Sequence, residues 1–88
     1  CLCRITADDG QVGWGEAITQ FPEASLAARA VIEGMAPNLI GRDPVQTETL
    51  WRQNRQQAWW YGYHGGIASY ATAAIDIALW DLKGKALG

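Results

Sequence analysis

The chain has 88 residues, 49% of them hydrophobic and 18% charged, with a formal net charge of -2. That length permits one small domain with a thin core, and the composition is globular rather than disordered. Without clustered lysine and arginine it has no means of gripping a phosphate backbone, so nucleic acid is excluded as a partner.

Residues 1–17 read as a β-hairpin. Two half-alternating runs flank Asp9-Gly10, a pair suited to a two-residue turn. Such a turn would set Ala7 opposite Val12, Ile5 opposite Trp14 and Cys3 opposite Glu16. Cys3, Ile5, Ala7, Val12 and Trp14 would then share the core face, leaving Gly13 and Gly15 on the other side, open to close approach by another backbone. Glu16 would end its strand on the apolar side and need a partner there. A lone hairpin is marginal in water and calls for another strand or a helical layer.

Cys1 and Cys3 are the only cysteines. Two positions apart, they would close an awkwardly short disulfide loop. With one distant histidine they are also too few for structural zinc. They read as small apolar side chains of a reduced chain, which suggests the cytoplasm. No signal-peptide pattern is visible, and both ends, strand-like at Cys1 and just past a helix at Gly88, read as cut.

Thr19 to Phe21 form a connector, and Pro22 suits the first turn of a helix over residues 23–38. Ala24, Ala27, Ala28, Val31 and Met35 make its inner stripe. Gly34 weakens it by about 1 kcal/mol relative to alanine, and Pro37 kinks or ends it. Gly41-Arg42-Asp43-Pro44 is punctuation: Gly41 closes one helix in a left-handed conformation, and Asp43 caps the next, with Gln46 placed to complete a capping box. That second helix spans residues 44–61, with Leu50, Trp51, Asn54, Ala58 and Tyr61 inward, and Gly62 to Gly66 break it. The third spans residues 67–85, with Ile67, Tyr70, Ala71, Ala74, Ile75, Ala78, Leu79 and Leu82 on a wide, alanine-rich stripe. Asp76, Asp81 and Lys83 interrupt it well short of the roughly 20 apolar residues of a membrane span, so no membrane partner is expected.

Chemistry-bearing residues are sparse. Asp76 and Asp81 are five apart, about 140° around a helix, so they do not form an acid/base pair or share a metal. Asp81 and Lys85 fit an ordinary i,i+4 surface pair. Asp76, Trp80 and Lys83 share a face that suits docking better than catalysis. His64 has no serine or cysteine nucleophile near it, and the glycines match no phosphate-binding loop. Trp59, Trp60, Tyr61 and Tyr63 could pack against another domain or stack on a carbohydrate.

Four motifs in register give the chain a resemblance. Asp9-Gly10-x-x-Gly13-Trp14-Gly15-Glu16-Ala17, Gly41-Arg42-Asp43-Pro44, Gly65-Gly66-Ile67-Ala68 and the run from Ala74 to Lys85 closely resemble the mandelate racemase/muconate lactonizing enzyme branch of the enolase superfamily. The resemblance implies an α+β capping domain, a three-stranded antiparallel meander followed by a three-helix bundle, with the hairpin as its second and third strands. It implies a parent enzyme that adds a TIM-type barrel, which holds Mg²⁺ and the bases that take a proton next to a substrate carboxylate. No catalytic or metal-binding residue of that kind is carried by this segment. The loop after the third strand contributes to the substrate lid, which here points to Thr19, Gln20 and Phe21. The implied partners are the protein's own C-terminal barrel, against which the third helix would set its exposed polar face, and a small carboxylate such as a sugar acid. A homo-oligomer is expected of the full-length protein. A sugar-acid dehydratase is the first reading of the reaction. The alternatives are a racemase or cycloisomerase of the same family, or a stand-alone carbohydrate-binding module using the aromatic run.

Overall fold

The computed structural model describes residues 1–62 and 66–88. In chain order it forms β1 (Leu2–Thr6), β2 (Val12–Glu16), α1 (Pro22–Met35), α2 (Thr47–Gln57) and α3 (Gly66–Leu87). Short 3-10 turns follow α1 at Ala36–Asn38 and α2 at Ala58–Tyr61. This is the expected α+β arrangement of an antiparallel hairpin and three helices. His64 and Tyr63 lie outside the described residues. No described helix is long and apolar enough to cross a membrane.

The hairpin forms, but in another register. Thr6 pairs with Val12, Ile5 with Gly13, Arg4 with Trp14 and Cys3 with Gly15. The loop is Asp8-Asp9-Gly10, closed by Gly10 N–H to Ala7 O (3.0 Å) and Ala7 N–H to Gln11 O (2.8 Å). Gly10 takes φ +92°, the left-handed position that ends a three-residue loop of this kind. One residue of slip inverts a strand's faces. Cys3, Gly13, Gly15 and Ala17 therefore face inward, while Trp14 stays 47% exposed and Glu16 is solvated outside.

The inverted face explains the glycines. α3 crosses the hairpin so closely that a Cβ on Gly13 would lie 2.9 Å from Leu82 N, and one on Gly15 would lie 2.8 Å from Ala78 N. Both would also collide with α3 carbonyl oxygens, of Ala78 and Ala74 respectively. Ala71, Ala74, Ala78 and Leu82 are buried along α3, and small residues there let a helix lie directly on a strand.

α3 is the central element, covered by the hairpin, α1 and α2 on different sides. This widens its buried set beyond one stripe: Ala68 and Thr72 join it, whereas the expected Tyr70 stays exposed. The Thr72 hydroxyl is satisfied locally by donating to Ala68 O at 2.7 Å. Met35 of α1, Leu50 of α2 and Ile75, Leu79 and Leu82 of α3 are the large apolar side chains buried in the core.

α1 begins with Pro22 at its first position, as expected, and buries Ala28 and Met35. α2 begins three residues later than the sequence suggests, at Thr47 with Gln46 as its unassisted N-cap. Asp43 caps the turn before it instead: its carboxylate accepts from Val45 N–H (3.0 Å) and its carbonyl from Gln46 N–H (3.1 Å). Leu50, Asn54 and Ala58 point inward as expected, but Trp51 and Tyr61 do not.

The two edges of the hairpin are unlike. Ala7 N–H donates to Gln11 O and Ala17 N–H to Cys1 O, so alternation turns the N–H and C=O groups of Leu2, Arg4 and Thr6 away from β2. Among the described residues these groups have no partner. At the other edge Trp14 N–H donates to the Asp81 carboxylate (2.9 Å), and Lys85 Nζ donates to Val12 O (2.7 Å).

Candidate functional site

The lid candidate is the connection from β2 to α1. Its start is fixed by Ala17, which is buried and donates its N–H to Cys1 O at 2.9 Å. Its end is fixed by Phe21, whose carbonyl accepts from Ala24 N–H (3.0 Å) and Ser25 N–H (3.3 Å) in the first turn of α1. The Thr19 hydroxyl shares a hydrogen bond with that of Ser25 and is half-buried. Thr19 is thereby a tether rather than a free contact. Ile18, Gln20 and Phe21 form the exposed crest, with Phe21 57% exposed. The crest offers apolar surface and one amide, which suits covering a ligand and excluding water but not moving a proton.

A groove of about 800 Å³ runs beside the open edge of β1. Arg4 and Thr6 line one wall, Leu39 and Ile40 the other, with Leu50 and Leu79 at its base. A second groove of about 440 Å³ lies between α2 and α3, lined by Trp51, Ala73, Asp76 and Ile77 among others. Arg55 stands over the Trp51 ring there, 5.3 Å from its centre.

The acids behave differently in the two settings. The Trp14 N–H, and after it Lys85 at 3.1 Å, hold the Asp81 carboxyl below its ordinary range. Partial burial pushes the Asp76 carboxyl up. Burial also pushes up the Cys3 thiol, which disfavours a nucleophilic thiolate. Both cysteines are free. Among the described residues no three histidine, cysteine or acidic side chains converge on one point. The sequence foretold the Asp81–Lys85 pair but not that both groups reach back to β2. The 67 and 73 residues that separate the partners leave no local signal.

The aromatic run is exposed at Trp59, Trp60 and Tyr61. The Trp60 and Tyr61 rings stand at 89° to each other, which makes an edge contact and not a flat stacking platform.

Across its whole length, residues 1–88, the chain matches the family model for the mandelate racemase/muconate lactonizing enzyme N-terminal domain. The chain belongs to that family. This family domain is 40% identical over 85 residues to a D-galactonate dehydratase family member from Streptomyces bingchenggensis, covering 97% of the chain and 20% of that protein. It is 41% identical to a D-mannonate dehydratase from Caulobacter vibrioides over the same shares. It also superposes on the 3,6-anhydro-D-galactonate cycloisomerase of Zobellia galactanivorans with a TM-score of 0.89 and 36% identity, covering 99% of the chain and 23% of that structure. An enolase-superfamily member from Salmonella Typhimurium matches with a TM-score of 0.88 and 36% identity, over 99% of the chain and 22% of that structure. The family domain thus spans about one fifth of the length of its curated relatives.

Proposed function

We propose that this chain is the capping domain of a Mg²⁺-dependent enolase-superfamily enzyme that removes a proton alpha to a carboxylate and expels water from a sugar acid. The observation that carries the reading is 36–41% identity, over nearly the whole chain, to sugar-acid dehydratases. Within such an enzyme Mg²⁺ would supply charge stabilisation at the substrate carboxylate, from ligands in the barrel. This chain's own part is to bind and enclose. Phe21 and Ile18 present apolar surface to the substrate's carbon side, Gln20 offers a hydrogen bond, and Thr19 holds the crest against α1. The open edge of β1 supports the three-stranded meander, since a strand added there would satisfy Leu2, Arg4 and Thr6 and fill the adjoining groove. The free thiols support a cytoplasmic enzyme, and a homo-oligomer is expected.

Incubating the full-length protein and Mg²⁺ with a panel of sugar acids tests this. Formation of a keto-deoxy acid is the expected result, and Phe21→Ala should raise KM for that substrate about tenfold. The likeness to a cycloisomerase supports a second reading within the same family. Isomerised product without loss of water would replace the dehydratase reading by that one.

A further inference from the structure

The crest between β2 and α1, residues 18–21, is held by very little. Among the described residues no backbone hydrogen bond reaches Ile18, Thr19 or Gln20. Ile18 is 77% exposed and Phe21 57%, so packing holds neither end of it. One side-chain bond fixes the middle, the hydroxyl of Thr19 with that of Ser25 in α1, both half-buried. Ser25 also fixes the end: its N–H donates to Phe21 O at 3.3 Å, beside that of Ala24 at 3.0 Å. A single residue therefore holds the crest at two points, through its hydroxyl and through its amide.

The start of α1 shows why that residue matters. Phe21 is the N-cap, extended at φ -116° and ψ 148°, and it has no side-chain oxygen to cap with. Pro22 follows at the first helical position and brings no N–H. At many helix starts an apolar residue before the N-cap packs on one at the fourth helical position and sets the angle of entry. Here the fourth helical position is Ser25, and the residue that meets it, Thr19, precedes the N-cap by two. A pair of hydroxyls thus replaces the apolar staple. A hydrogen bond is directional where an apolar contact tolerates sliding, so this staple selects one path for the crest.

We infer that Ser25 is a positioning residue for the substrate: it keeps the crest in one arrangement before the ligand arrives. The crest is then a preformed wall and not a loop that must be ordered around its ligand. The inference rests on the dehydratase reading for what the wall encloses, a sugar acid, while the pinning follows from the Thr19–Ser25 and Phe21–Ser25 bonds alone. A wall already in place presents Gln20 and Phe21 without an ordering cost, and affinity is not divided by the fraction of time spent elsewhere.

The test is Ser25→Ala in the full-length protein, which removes the hydroxyl and keeps the amide. Hydrogen exchange read by mass spectrometry over residues 17–25 should be at least about fivefold faster than in the parent. KM for the sugar acid should rise about fivefold with kcat within about twofold of the parent, the pattern of lost binding common to ground and transition states. The Tm should not fall, because alanine is the better helix former, so general destabilisation accounts for neither effect. Ser25→Thr keeps the hydroxyl and should restore both values. Thr19→Val removes the same bond from its other end, and the double variant should be no worse than either single one. Unchanged exchange in Ser25→Ala would overturn the inference. Faster exchange with KM unchanged would overturn it too, as would a double variant in which the two effects multiply. A parent inactive on every sugar acid overturns the dehydratase reading alone, and exchange then decides this inference by itself. An active parent whose Ser25→Ala variant keeps both its exchange and its KM overturns this inference alone.

Discussion

α3 has two sides built on opposite rules. Toward the hairpin it carries Ala74, Ala78 and Leu82 and meets Gly13 and Gly15 almost backbone to backbone, sealed at the margin by Asp81 and Lys85. Away from it Ile77 and Trp80 stand half in solvent beside the partly buried Asp76. Large apolar side chains such as Met35, Leu50, Ile75 and Leu79 fill the core, but the tightest joint, between α3 and β2, is made by the smallest residues.

The contrast can be broken from the closed side first. Gly15→Val should have the largest effect, about 3 kcal/mol or more, because the new side chain meets α3 backbone that cannot move aside. Urea denaturation of the chain followed by circular dichroism would show the lost transition. Asp81→Asn comes next and has a pH signature. The folded-state pKa of Asp81 lies below its unfolded value, so its contribution is complete above the ordinary carboxylate range and is lost as pH falls through the folded value. The variant should be less stable than the parent at neutral pH and converge with it in acid, as read from paired melts across that range. Trp80→Ser should have the smallest effect in this chain, less than about 1 kcal/mol, since it removes half-exposed surface and a cation–π contact to Lys83. A large loss there would mean that the open side already contributes to the core.

How much of this was legible depends on which residues carried the signal. α3 was plain because eight apolar positions repeat at helical spacing, and Pro22 marked the start of α1 through its fixed φ. The hairpin was legible as an element but not in its register. Asp8-Asp9-Gly10 serves a three-residue loop as well as Asp9-Gly10 serves a two-residue one, and Gly13 and Gly15 have no side chain to declare which face is buried. Trp14 and Val12 looked like core residues on hydrophobicity alone, whereas close approach of backbone decided the matter. Asp43-Pro44 read as a helix start because an aspartate that caps a turn and one that caps a helix use the same bond to a nearby N–H. Thr19, Gln20 and Phe21 were placed by resemblance, and the tether from Thr19 to Ser25 has no sequence signature of its own.

The unequal edges of the hairpin also set how this domain would self-associate if produced by itself. Lys85 and Asp81 occupy backbone groups of β2, so a foreign strand can add only alongside β1. Two such domains meeting there would each use up their one receptive edge. A symmetric, closed pair is the end point of that encounter, and the stacking that extends into fibrils has no second edge from which to grow.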